Sequence, residues 1–120
     1  MSRFGEFGNA LMSEAQIVFV TVPTHAVGLR IAKAVVAERL AACVNIVPGV
    51  RSIYAWKGKV CDDRELMLVM KTTRARYAAL ERRVKALHPY DVPEVIAVRV
   101  ERGSRDYLRW VGESVGEGSR

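Results

Sequence analysis

Residues 16–22 (QIVFVTV) form an apolar run rich in β-branched and aromatic side chains, which reads as a strand ended by Pro23. Thr24 follows where a helix N-cap belongs, with a hydroxyl suited to accept a backbone N–H. The capping box is incomplete, because Val27 rather than Glu or Gln lies three residues on. Over 26–42 the apolar positions change to helical spacing. Ile31, Ala32, Val35, Val36 and Leu40 share one broad face, with Arg30 and Lys33 opposite. Arg39 breaks the pattern by projecting from the apolar arc in the predicted last turn. It reads either as an arginine snorkelling at the core edge or as a cation aimed at a cleft or a neighbouring subunit.

Residues 43–56 are extended, interrupted by Pro48-Gly49, which marks a bulge or an edge because proline has no N–H to give a ladder. Lys57-Gly58-Lys59 predicts a hairpin tip. The chain returns through Val60 to 65–71 (ELMLVMK), whose run of consecutive apolar residues predicts a strand buried on both faces. Thr72 or Thr73 opens a helix over 74–87, with Tyr77, Leu80, Val84 and Leu87 as a narrow stripe and Glu81 and Lys85 as an i,i+4 pair. His88-Pro89 stops it. Over 94–101 the residues alternate, Ile96, Val98 and Val100 against Ala97, Arg99 and Glu101, as in a half-buried strand. Gly103-Ser104 leads into a last amphipathic helix from 105 to about 114, anchored by Tyr107, Leu108, Trp110 and Val111.

Strand, helix, strand, strand, helix, strand, helix is the order of an α+β chain. It predicts a ferredoxin-like split βαβ sandwich with a long hairpin between the second and third strands and an extra C-terminal helix. Two helices cover only one face of such a sheet. The doubly apolar third strand asks for cover on the other, from the last helix or from another subunit, which predicts an oligomer. The domain is expected over 15–115, with a flexible leader at 1–14 and a disordered tail at 116–120.

The chain's 120 residues, half of them apolar, suffice for one domain with its own core. No apolar run approaches the roughly 20 residues that span a bilayer, and no signal-peptide pattern opens the chain. Cys43 and Cys61 lie far apart and make no Cys-x-x-Cys motif, so they read as free thiols in a reducing cytoplasm. The net charge of +6 is spread over the whole chain without an aromatic-interleaved basic stripe. It reads as a solvated basic surface, not a nucleic-acid or membrane interface. No nucleophile–base–orienter set and no glycine-rich phosphate loop can be traced, so the chain does not read as an enzyme.

Several blocks together resemble one family. They are Glu38-Arg39-Leu40-Ala41-Ala42-Cys43-Val44-Asn45, Pro48-Gly49, Ser52-Ile53-Tyr54-x-Trp56-x-Gly58-Lys59, Lys71-Thr72-Thr73, His88-Pro89-Tyr90-x-Val92-Pro93-Glu94 and Asp106-Tyr107-Leu108-x-Trp110. In this order they are similar to the CutA family of divalent cation tolerance proteins, over 17 to about 113. The resemblance implies a ferredoxin-like protomer and a homotrimer whose sheets join through the long hairpin. It also implies an architecture like that of the PII signalling proteins, with ligand clefts between subunits, and no settled enzymatic reaction. Where some members carry further cysteines, this chain has Val20 and Arg83.

The candidate metal ligands are His88 and Glu94, on a loop stiffened by Pro89 and Pro93, and the soft thiol of Cys43. They suit copper or another divalent cation, held weakly, since two ligands from one loop do not close a site. Alternatively His88 caps its helix, Glu94 pairs with a basic neighbour and Cys43 simply packs. His25 and Cys61 are lesser candidates. A second constellation, Arg39 and Lys71 with the hairpin aromatics Tyr54 and Trp56, suits a small anionic ligand in a cleft between subunits. Equally, Tyr54 and Trp56 could anchor the subunit interface, and a plain scaffold trimer for a protein partner is the third reading.

Overall fold

The computed structural model describes residues 14–116. The leader expected at 1–14 and the tail at 116–120 lie outside them except for Glu14 and Gly116. Four strands, β1 (Ala15–Val22), β2 (Cys43–Trp56), β3 (Lys59–Thr73) and β4 (Val95–Arg99), form one sheet in the order β2-β3-β1-β4, every neighbouring pair antiparallel. Three helices, α1 (His25–Ala37), α2 (Arg74–Leu87) and α3 (Arg105–Val115), complete the fold. This is the ferredoxin-like arrangement with an added last helix.

Period-two alternation separates the sheet's faces. Val18, Val20 and Val22 of β1 and Leu68 and Met70 of β3 are fully buried against Ile31 and Val35 of α1 and Leu80 and Val84 of α2. Each such side chain contributes about 1.5–3 kcal/mol by leaving water. Gly28 lets α1 approach closely, since a Cβ there would stand 3.1 Å from a Val22 methyl. Thr24 caps α1, its hydroxyl accepting the Val27 N–H at 3.1 Å. Thr73 is the N-cap of α2 but its side chain makes no cap bond, whereas the Thr72 hydroxyl donates to the Leu40 carbonyl at 2.7 Å.

Two elements differ from the sequence reading. The first helix ends at Ala37, not at 42, and Arg39 sits in the following turn at φ +62°. The apolar residues 40–41 belong to that turn, where Leu40 and Ala41 are buried. In β4, Ile96 pairs with Phe19 and Val98 with Ile17, so its apolar side faces away from α1 and α2 and is about half exposed. The strand alternates as expected but presents its apolar side to the second face.

That second face carries Ile17 and Phe19, Met67 and Val69, Ile96 and Val98, all partly exposed or exposed. The double burial expected of 66–70 is therefore met on the helical face only. α3 packs against β3 and β1. Tyr107 lies beside Cys43, which places α3 at one end of this face. The end of α3 is clamped by two arginines. Arg39 Nη2 donates to the Glu113 and Gly116 carbonyls at 3.2 and 2.7 Å, and Arg76 Nε to the Val115 carbonyl at 2.7 Å. Cations belong there, where carbonyls lack helical partners.

Candidate functional site

The other end of the second face holds a cavity of about 760 Å³, between the outer half of the β2-β3 hairpin and the loop 88–94. A bulge aims the hairpin side chains into it. Val47 pairs with Met67 but Val50 pairs with Glu65, so β2 carries one extra residue at Pro48-Gly49, with Gly49 at φ +82°. The extra residue reverses the alternation of everything beyond it. Ser52, Tyr54 and Trp56 thereby share a face with Asp63 and Glu65 of β3.

Among the described residues four carboxylates line the cavity: Asp63, Glu65, Asp91 and Glu94. Two are engaged by phenols. The Tyr54 hydroxyl donates to Asp63, and the Tyr90 hydroxyl donates to the buried Glu65 at 2.6 Å. The hydrogen bond to Asp63 holds the Tyr54 proton and pushes its pKa up to about 12. Burial, then the hydrogen bond to Glu65, raises that of Tyr90. The lining cation is Arg51, whose guanidinium is bidentate to Asp62 at 2.8 Å for each bond. That bond lowers the Asp62 pKa and raises that of Arg51. Asp91 and Glu94 are exposed and make no side-chain hydrogen bond or ion pair among the described residues. Among the described residues Glu94 thus lacks the ion pair with a basic neighbour that was its alternative role.

His88 stands behind this wall and not in it. Its ring is buried, with Nε2 2.7 Å from the Thr21 carbonyl and Nδ1 accepting the Tyr90 N–H at 3.2 Å. The carbonyl requires a proton on Nε2 and the amide requires a lone pair on Nδ1, so both nitrogens are committed. The imidazole ties the loop 88–94 to the end of β1 and orients Tyr90, whose ring lies 4.6 Å away. Capping of its own helix falls to the His88 backbone N–H, which bonds the Val84 carbonyl.

The other candidates lie elsewhere. Cys43 is at the α3 end of the face, with Lys71 Nζ 3.9 Å from its sulfur and also bonded to Asn45 Oδ1. An ammonium is a poor neighbour for a metal cation. Cys43 and Cys61 are both free thiols, and His25 is the exposed first residue of α1. Among the described residues no three His, Cys, Asp or Glu side chains converge as a ready ligand set. His88, Glu94 and Cys43 therefore do not fit a closed copper site within one chain. Within one chain the residues of the anion cleft expected between subunits also stand apart. Tyr54 and Trp56 line the acidic cavity, Arg39 lines a separate hollow with Trp110 at the end of α3, and Lys71 sits by Cys43.

The sequence named Tyr54, Trp56 and Glu94 but missed Asp63, Glu65, Tyr90 and Asp91. The signal for the first two was present. Asp63 and Glu65 alternate at i and i+2, on the hairpin arm opposite the equally alternating Ser52, Tyr54 and Trp56.

The family model of the CutA1 divalent ion tolerance protein matches residues 16–114, all of the sheet but Ala15 and nearly all of α3. The chain belongs to the CutA1 family. It is 54% identical over 101 residues to the divalent-cation tolerance protein CutA of Thermus thermophilus, covering 84% of this chain and 98% of that one. A solved structure of the divalent cation tolerance protein Cut A1 from Thermus thermophilus superposes with a TM-score of 0.83, over 85% of this chain and 99% of that one. A rice CutA relative, chloroplastic, is 50% identical over 84% of this chain but only 57% of its own length, so the plant protein is longer. A rice CutA1 structure matches at TM-score 0.85 and 46% identity, over 90% of this chain and 99% of that one. A structure from Archaeoglobus fulgidus, described as a periplasmic divalent cation tolerance protein, matches at 0.82 and 36%, over 84% and 98%. The CutA1 match covers both walls of the acidic cavity. Among the described residues no helix is long and apolar enough to cross a membrane.

Proposed function

We propose that the protein serves divalent-cation tolerance as a cytoplasmic homotrimer, and that each protomer holds a hydrated divalent ion, copper among them, weakly in the acidic cavity. The observation that carries this reading is the charge of the cavity. Four carboxylates face one guanidinium that Asp62 already neutralises. Hydrated cations need one or two carboxylates and room for their waters, not a converged cage. Glu94 keeps the role expected of it and gains Asp91 as its partner. His88 moves from ligand to support.

Two features favour the trimer. The second sheet face leaves Ile96 and Val98 about half exposed, and the far hairpin exposes Ile53 and Val60. Apolar surface of this extent on a small domain asks for protein cover. The free thiols Cys43 and Cys61 favour the reducing cytoplasm. No reaction is part of this role. The small-anion alternative needs two subunits, because within one chain its cations and its aromatics stand in different places.

Titration with Mn²⁺, read by water-proton relaxation, tests the site. Wild type is expected to bind weakly and saturably. The double variant Asp91→Asn/Glu94→Gln should lose roughly tenfold or more, from about 1 kcal/mol per charge near the surface. His88→Gln should bind within about twofold of wild type. Undiminished binding by the double variant contradicts the placement.

A further inference from the structure

The acidic cavity is also aromatic, and a hydrated metal ion has no need of that. Tyr54, Trp56 and Tyr90 line it together with the carboxylates of Asp91 and Glu94. Ring faces attract a cation whose charge is spread over apolar substituents, through the negative face of the π-system. One ring already does so within the chain, for the Lys57 ammonium lies 5.9 Å from the centroid of Trp56. The other two rings are held in place. The Tyr54 hydroxyl is anchored on Asp63 and that of Tyr90 on Glu65, while the His88 ring backs Tyr90 at 4.6 Å. Their hydroxyl protons are thus spent inside the wall, which leaves ring surface as what they offer a ligand. Asp91 and Glu94, with no partner among the described residues, supply the opposing charge. At about 760 Å³ the cavity has room for more than an ion and its waters.

We propose that this cavity binds small organic ammonium ions, alkylated amines whose charged head lies against Tyr54, Trp56 and Tyr90 and is balanced by Asp91 and Glu94. The proposal rests on reading the cavity as a cation site and names a ligand class which the metal reading does not require. It predicts that Trp56 matters to the organic cation and not to the metal ion.

Ligand-observed saturation-transfer NMR on the full chain, with tetramethylammonium against uncharged tert-butanol of similar shape, tests it. Tetramethylammonium should saturate and tert-butanol should give no saturable signal. Trp56→Leu should weaken tetramethylammonium about fivefold or more while leaving Mn²⁺ relaxation within about twofold of wild type. Trp56 is about half exposed, so the variant keeps its fold. The proposal is overturned by an absence of saturation, by an equal response to tert-butanol, or by unchanged affinity in Trp56→Leu. Mn²⁺ binding without tetramethylammonium binding overturns this inference alone. The reverse result overturns the metal reading and leaves this one standing.

Discussion

His88 shows how a residue type suggests one chemistry and its surroundings assign another. Its two ring bonds join the loop 88–94 to β1 at Thr21, a contact across most of the chain that no local pattern announces. His88→Ala leaves a buried carbonyl and an amide without partners and should cost about 2–3 kcal/mol, read as a lowered urea midpoint. Thr24, in contrast, was legible, because an N-cap bond closes within three residues. Tyr54 and Tyr90 give the residue scale a pH dependence. Both hold their protons more tightly folded than unfolded, Tyr54 to about 12 against an ordinary 10.0. Their contribution is complete below pH 10 and declines as pH rises above it, for Tyr54 through about 12. Urea midpoints should fall across that window, and fall less steeply in Tyr90→Phe. An identical slope in the variant would remove Tyr90 from the account.

Among the elements, the hairpin decides where the site can be. Its strands and its turn were readable from the extended stretch 43–56, the apolar run within 65–71 and Lys57-Gly58, which the structure shows as a two-residue turn with φ +52° and +79° between the paired Trp56 and Lys59. Two successive positive φ values favour Asn-Gly. Lys57→Asn should therefore stabilise the protein by about 0.5 kcal/mol, measurable as a raised Tm. Pro48-Gly49 was recognised as an interruption. Its consequence, which way Tyr54 and Trp56 point, needs the register against β3 and so was not legible locally. Deleting Gly49 should restore simple alternation, turn Tyr54 away from Asp63 and return its tyrosinate titration towards the ordinary value. An unchanged alkaline absorbance titration would contradict the bulge argument. β4 carries the same lesson, for its alternation was plain but the side that meets α1 and α2 depends on its pairing with β1. Arg39 belongs to the element scale too, as the clamp on α3. Arg39→Met should cost about 1–2 kcal/mol and should free the last turn of α3 to faster amide exchange.

At the scale of the molecule, a basic chain of net charge +6 concentrates carboxylates in one cavity and leaves one sheet face half covered. The fold was legible because the element order alone restricts the topology to few choices. The cavity was not, because its walls come from a hairpin and a loop some 25 or more residues apart in sequence, joined by Tyr90 and Glu65. The central claim is a trimer that takes up divalent ions on Asp91 and Glu94 and not on His88. Native mass spectrometry of the full chain with Mn²⁺ reads assembly and uptake together. The account predicts three chains carrying one ion each, with uptake kept in His88→Gln and lost in Asp91→Asn/Glu94→Gln. A single-chain mass, or equal uptake by the acidic-loop variant, would contradict it.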